Sequence, residues 1–186
     1  MIMNRPKKTM SAKGSPASQK EANTELSISD QHISSLTLSF LQRSGMFKLI
    51  PQSCSNISDF YSHFFANFIK VNLIQPGRIS CTVSVKPQIS NTYGTLHGGC
   101  VGSLVELLSI ACARTVVSED RDLFLGEISV SYLSGAPTNE EVLADASVVK
   151  SGRNVTMVAL EFKLKKTGNL IYVAHATFYN FPIAKL

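Results

Sequence analysis

One carboxylate in this chain stands out by its surroundings. Glu106 lies within an apolar segment, residues 100–111, and is the only formally charged residue between Lys86 and Arg114. The segment predicts a buried helix, and an unpaired carboxylate removed from water costs several kcal/mol. Either internal hydrogen bonds satisfy Glu106, or it is a general base or nucleophile whose pKa is raised by burial.

A glycine-rich entry precedes this helix. His97, Gly98 and Gly99 follow the polar run 91–96, and the entry contains no acidic group. The first N–H groups of a helix lack intrahelical acceptors and carry partial positive charge, and glycine allows a ligand oxygen to approach them. The pattern therefore predicts an oxyanion site at the helix start, with Glu106 further along the same helix.

Residues 91–106 together resemble the hotdog-fold acyl-CoA thioesterases of the phenylacetate-pathway and thioesterase-superfamily-member-2-like branch. The resemblance extends from about Phe68 to Tyr179. It implies an α+β hotdog fold, in which an antiparallel β-sheet wraps a long central helix. It also implies hydrolysis of a fatty acyl- or aryl-CoA to the free acid and CoA, without a cofactor or a metal.

Site roles follow from this resemblance. The Gly98 N–H would polarise the thioester carbonyl, Asn91 would contact substrate or water, and Glu106 would activate water or attack directly. His97 would orient the loop or the acyl carbonyl, or have a structural role only, and Gly99 would line the substrate site. Lys150 and Arg153, in a basic turn, would pair with CoA phosphates, although an ordinary solvated hairpin turn explains them equally well.

Gly98 and Glu106 are too far apart on one helix to act on one carbonyl. Eight residues span roughly 12 Å at 1.5 Å each, whereas both groups must approach within about 3 Å of the substrate. A two-fold dimer would place the amide of one helix against the carboxylate of an antiparallel partner. This agrees with the resemblance, which implies composite sites in a homodimer or homotetramer.

The chain departs from the family pattern at three positions. Close relatives usually carry Asp where this chain has Glu106. A serine that holds the water aligns by eye with Leu125, and Ser129 or Ser131 would have to replace it. The relatives also place a basic residue near the CoA phosphates at a position where this chain has aromatic residues, Phe178 and Tyr179.

Alternating apolar residues predict the strands that would wrap the helix. Two strands, residues 68–74 and 78–86, are joined at a Pro-Gly turn, and later alternation runs through 128–132, 142–148, 156–164 and 170–179. The predicted domains are a basic tail (1–28), a helical extension (29–67), the hotdog domain (68–183) and a terminal tripeptide (184–186). Within the extension, the aromatic segment 60–65 either packs in the core or lines an acyl pocket.

Composition limits the partners. The net charge of +5 is partly concentrated in a Ser- and Pro-containing tail without interleaved aromatics, so we expect no nucleic-acid binding. The four cysteines form no C-x-x-C pair, which argues against a metal site, and a Cys100–His97 nucleophile is disfavoured because no activating cation is near. The apolar helix is too short and interrupted to span a membrane.

The last three residues, Ala184-Lys185-Leu186, resemble a peroxisomal import tripeptide. We therefore expect a peroxisomal location and the import receptor as a further partner, with mitochondrion or cytosol as alternatives. Three other functional classes stay open at this point. They are a hotdog enoyl-CoA hydratase, a catalytically silent acyl-CoA-binding module, and a nucleic-acid-binding protein that uses the basic tail.

Overall fold

The computed structural model describes residues 60–183, together with Ser35, Leu38 and Ser39. The predicted tail, most of the helical extension and the terminal tripeptide lie outside these residues. The elements in chain order are α1 (Phe60–Ala66), β1 (Ile69–Gln75), β2 (Arg78–Ser84), a 3-10 turn (Pro87–Ile89), α2 (Gly98–Arg114), β3 (Arg121–Tyr132), β4 (Glu141–Ser151), β5 (Val155–Leu164) and β6 (Leu170–Pro182).

Six strands form one antiparallel sheet in the order β1-β2-β4-β5-β6-β3. The β1–β2 hairpin turns at Gly77, whose φ of 75° favours glycine. Strand β3 follows α2 in the chain and pairs with β6, so it forms the edge opposite β1. This arrangement of one sheet around α2 confirms the predicted α+β hotdog fold.

Alternation along the strands builds the core. The inward residues of β4, β5 and β6 are buried, and α2 packs its own buried side chains against them; on α2 these are Val101, Leu104, Val105, Leu108, Ser109, Cys112 and Ala113. From the aromatic segment, Phe65 is 1% exposed and contacts Phe64 edge to face. Phe65 therefore packs in the core, the first of the two roles considered for that segment.

Strand β3 begins seven residues earlier than the alternation predicts. The register shifts between Leu125 and Glu127, where Gly126 forms a bulge. Leu123 and Leu125 pack against the core before the bulge, and Ile128 and Val130 do so after it. A bulge adds one residue to a strand and therefore breaks its period of two, which hides the first half of β3 from a periodicity search. No helix among the described residues is long and apolar enough to cross a membrane.

Candidate active site

The loop before α2 is held by Asn91. Its Oδ1 accepts hydrogen bonds from the N–H groups of Tyr93 (2.9 Å) and Thr95 (3.2 Å), and its Nδ2 donates to Thr95 Oγ1 (2.9 Å). Thr138 N–H also donates to the Gly94 carbonyl at 2.9 Å. Asn91 therefore fixes the shape of the loop, and its predicted contact with substrate or water stays a prediction.

His97 caps α2. Its Nδ1 accepts the Gly99 N–H at 3.0 Å, and its carbonyl accepts the Val101 N–H at 3.1 Å. In this tautomer the ring proton is on Nε2. The capping role is the structural one of the two roles considered for His97, and it occupies the Gly99 amide.

The Gly98 amide is left unbonded. Among the described residues, no acceptor lies on the N–H of Gly98 or of Cys100, the other two donors in the first turn of α2. The Tyr132 hydroxyl donates to the Gly98 carbonyl at 2.9 Å and holds this end of the helix against β3. An unbonded N–H at a helix start is the donor that a developing oxyanion requires. Tyr132 was not singled out from the sequence, because its bond joins residues 34 positions apart.

A cavity of about 320 Å³ opens at the start of α2, where it is lined by both chain neighbours of Gly98. The residues that line it come from the 3-10 turn region and the first turns of α2; they are Gln88, Ser90, His97, Gly99, Cys100 and Ser103. Gly99 and Ser103 share one stripe of the helix with Glu106, because residues three and four apart are neighbours on a helix surface. The cavity therefore lies on the same helix face as the predicted carboxylate.

Glu106 itself is exposed in the single chain. The expectation that one chain buries this carboxylate is wrong. Helix α2 buries only the face toward the sheet, and Glu106 points away from it between two buried residues, Val105 and Leu108, and the half-buried Leu107. A sequence that is apolar on both faces of a helix still leaves one face uncovered when a single sheet packs against it.

That uncovered face continues into the edge strand. The core-facing residues of β3 are only half-buried, whereas the neighbouring inward residues of β6 are fully buried. Together with two residues of α2 they form a half-buried apolar seam between helix and sheet edge: Leu107, Ile110, Leu123, Leu125, Ile128 and Val130. Partial burial of so many large apolar side chains in one strip is typical of a surface that another chain covers.

The predicted CoA contacts lie at the other end of the sheet. Lys150 and Arg153 are exposed, and the turn 152–154 between β4 and β5 lies beside the start of β3, where Arg121 donates to the Arg153 carbonyl at 2.9 Å. Gly98 contacts Tyr132, at the end of β3. A 12-residue strand is about 40 Å long, so one chain does not bring the Gly98 amide and this turn together.

The positions that depart from the family pattern divide between core and surface. Leu125 is half-buried and packs against the core, whereas Ser129 and Ser131 are exposed on the opposite sheet face. Phe178 is fully buried, but Tyr179 is 46% exposed. Neither serine is among the residues that line the cavity, so the replacement of the water-holding serine by one of them stays a prediction.

Cysteine chemistry does not contribute to this site. Burial raises the pKa of the Cys100 thiol above its ordinary value, so the thiol is protonated at neutral pH. Within residues 60–183, no group of three His, Cys, Asp or Glu side chains is placed to hold a metal ion. At the α2 entry, the unbonded polar donors are the backbone N–H groups of Gly98 and Cys100.

The protein has one antiparallel sheet around a central helix, and the helix begins with unbonded backbone N–H groups. This is the arrangement of the hotdog thioesterase class, and comparisons with known proteins agree. The thioesterase superfamily model matches residues 93–171. Acyl-coenzyme A thioesterase 13 of Mus musculus is 30% identical over 104 residues, which are 55% of this chain and 74% of that protein. The chain belongs to the thioesterase superfamily, which confirms the resemblance found in the sequence.

Solved structures share the fold. Thioesterase superfamily member 2 of zebra fish has a TM-score of 0.61 at 24% identity, covering 69% of this chain and 91% of that one. A Streptococcus mutans UA159 protein bound to acetyl CoA has a TM-score of 0.57 at 20% identity, covering 63% of this chain and 91% of that one. These likenesses confirm the hotdog topology of the described residues.

Proposed function

We propose that this protein hydrolyses acyl-CoA thioesters to a free acid and CoA. The observation that carries this proposal is the pair of unbonded amides, Gly98 and Cys100, at the start of α2, where a cavity lined by Gly99 and Cys100 opens on a helix that also presents Glu106. Membership of the thioesterase superfamily and similarity to acyl-coenzyme A thioesterase 13 support the same chemistry.

The reaction follows from these two groups. The Gly98 N–H donates to the thioester oxygen and stabilises the negative charge that develops there. Glu106 accepts a proton from the attacking water, or attacks the carbonyl to form an anhydride that water then hydrolyses. In the first route Glu106 passes the proton it took from water to the CoA sulfur, which leaves as the thiol. In the anhydride route the departing thiolate gains a proton released when water hydrolyses the anhydride.

Each complete site requires two subunits in this proposal. The open edge of β3 and the apolar seam supply an isologous interface, in which β3 pairs with an antiparallel copy of itself. Antiparallel pairing brings the start of β3, with Lys150 and Arg153 nearby, toward the Gly98 end of the second copy. The same pairing covers the helix face that carries Glu106. A homodimer is the smallest assembly that meets these conditions, and two such dimers would form the homotetramer.

The experiment that tests the function is a substrate panel. Purified protein is incubated with medium-chain, long-chain and aromatic CoA esters, and free thiol release is followed, with Glu106→Gln in parallel. We expect turnover of at least one ester class and a loss of about 10²- to 10⁴-fold in kcat for the variant. Absence of thiol release from a folded dimer across the panel would contradict the proposal.

Two alternatives make different predictions in the same assay. A hydratase would add water to an enoyl-CoA and release no thiol, and it would need a His paired with a carboxylate. The Nδ1 of His97 accepts the Gly99 N–H, which leaves only its Nε2 for such a pair. A silent binding module would bind acyl-CoA without turnover.

We also propose a peroxisomal location and a role in fatty acid metabolism. Support comes from the Ala184-Lys185-Leu186 tripeptide and the proposed CoA chemistry. A fluorescent protein fused ahead of this sequence should colocalise with a peroxisomal marker, and deletion of Leu186 should disperse it. Unchanged localisation after that deletion would argue against the import receptor as a partner.

A further inference from the structure

The turn between β4 and β5 is tied to β6 by one buried side chain. Asn180 is 4% exposed, and its Nδ2 donates to the Gly152 carbonyl at 2.8 Å and to Thr156 Oγ1 at 3.0 Å. Because a carbonyl only accepts hydrogen bonds, the nitrogen of the amide must face Gly152. The Asn180 backbone N–H also donates to the Asn154 carbonyl at 2.9 Å.

All three carbonyls of this turn point toward the protein. Those of Gly152 and Asn154 accept from Asn180, and that of Arg153 accepts from Arg121 at 2.9 Å. By contrast, the N–H groups of Arg153 and Asn154 have no acceptor in the described part of the chain. Successive free amides beside cationic side chains form a concavity that binds anions.

A bulge in β4 places Lys150 on the exposed face of the strand, just before the turn. The register shifts between Val148 and Lys150, so Lys150 lies opposite Met157, which is exposed. Without the extra residue, Lys150 would continue the inward set that ends at Val148. The shifted register therefore adds a second cation beside the turn.

Asn180 is a costly residue for this position. Its Oδ1 is buried and has no hydrogen-bond partner among the residues that the structure describes. Buried polar atoms are normally paired, and an apolar residue of the same size would leave no such atom. The amide nitrogen offsets part of this cost, because it donates to the Gly152 carbonyl and to the fully buried Thr156 hydroxyl, and the same two bonds fix the orientation of the turn.

We infer that Asn180 is a positioning residue for a phosphate-binding turn, residues 150–154, that binds the nucleotide end of CoA. This inference rests on the proposed function. Asn180 holds the turn carbonyls inward, so that the Arg153 and Asn154 amides and the Lys150 and Arg153 side chains face the phosphates. The amide itself is too deeply buried to touch the substrate.

The test compares two substrates that share the reacting thioester. Kinetics are measured for an acyl-CoA and for the matching acyl-pantetheine, which lacks the nucleotide and its phosphates. For Asn180→Leu we expect KM for the acyl-CoA to rise about 5- to 10-fold, kcat to change less than about twofold, and KM for the acyl-pantetheine to stay unchanged. Asn72→Leu is the control for loss of an Asn side-chain bond elsewhere in the sheet, since the exposed Asn72 of β1 donates to Thr82 Oγ1 of β2 (2.9 Å), away from the turn.

A second variant covers the case in which Asn180→Leu does not fold. Arg121→Met removes the bond to the Arg153 carbonyl from a partly exposed position and should give the same selective rise in KM. Parallel changes for both substrates, or no change for the acyl-CoA, would overturn the inference.

Calorimetric titration with CoA alone separates this inference from the proposed function. If neither ester is hydrolysed, the thioesterase proposal fails, while weaker CoA binding by the Asn180 variant would still support the turn. Wild-type protein that does not bind CoA would overturn the phosphate-binding turn.

Discussion

At the scale of single residues, the backbone N–H groups at the start of α2 have two different roles, one in capping the helix and one in the proposed chemistry. His97 occupies the Gly99 amide, whereas the Gly98 amide stays unbonded. Gly99 is the second residue of the helix, where an N-cap side chain ordinarily accepts the N–H, so the His97 ring bonds Gly99 and leaves Gly98 unbonded. The chemistry proposed for Gly98 depends on one hydrogen atom of the backbone.

Gly98→Pro removes that hydrogen with little change in backbone. Proline is favoured at the first position of a helix, and the preceding His97 already has extended backbone angles, φ −65° and ψ 130°, that proline requires. We expect kcat for an acyl-CoA to fall about 10²- to 10³-fold with the fold retained. Thiol release and circular dichroism measure the two effects.

Gly98→Ala is the matched control for this prediction. Its added Cβ would lie 3.6 Å from Tyr132 Cε1, an ordinary contact, and the N–H would remain. We expect its activity to stay within a few-fold of wild type. Equal losses for the alanine and proline variants would show that bulk, not the amide, limits the reaction.

The residues of the site were partly predictable from the sequence. The position of Gly98 at the helix start follows from glycine content and the apolar run that comes after it. The exposure of Glu106 does not follow, because hydropathy does not show which helix face the sheet covers. The bonds of Asn180 to Gly152 and of Tyr132 to Gly98 join residues 28 and 34 positions apart, so no local pattern indicates them.

At the scale of elements, strand β3 determines how the sheet ends. Its bulge at Gly126 lies against the Tyr179 ring of β6, and a Cβ added at Gly126 would clash with Tyr179 Cε2. The predicted strands after α2 were found, but the bulge concealed the first seven residues of β3. The same bulge therefore explains both the shorter prediction and the close packing of the ring.

Gly126→Ala should destabilise the protein through that ring. We expect a loss of about 1–2 kcal/mol in the free energy of unfolding, because Tyr179 must leave its position over the strand. In a Tyr179→Ala background the same substitution should cost less than about 0.5 kcal/mol, since nothing else is so close. Urea denaturation of the four proteins measures this coupling, and equal costs in both backgrounds would contradict it.

At the scale of the whole molecule, two buried cysteine thiols should make the free energy of unfolding fall at alkaline pH. Cys81 and Cys112 are 1% and 0% exposed, and burial raises the pKa of each thiol. The folded protein therefore keeps protons that the unfolded chain releases above about pH 8.5. The resulting stabilisation is fully present below that pH and is lost as pH rises toward and through the folded-state pKa values.

The free energy of unfolding should fall between pH 7.5 and 9.5. The fall should approach about 1.4 kcal/mol per pH unit for each thiol that is ionised only when unfolded. The double variant Cys81→Ala/Cys112→Ala should show a smaller fall in unfolding free energy per pH unit. This holds whether or not the substitutions change the stability at neutral pH. Urea denaturation at several pH values checks it, and an unchanged slope in the double variant would contradict the assignment to these thiols.

The division of the proposed site between two chains can be tested by complementation. Mixing two inactive variants, Gly98→Pro and Glu106→Gln, would place an intact Gly98 amide and an intact Glu106 in one of the two sites of each mixed dimer. Random assembly from equal amounts makes half of the dimers mixed, so we expect about a quarter of wild-type activity after co-refolding, and about half for purified mixed dimers. Thiol release from differently tagged chains measures the recovery. If each chain carried its own complete site, every chain in a mixed dimer would still lack one of the two groups. Purified mixed dimers as inactive as the two parent variants would therefore contradict a site shared between chains.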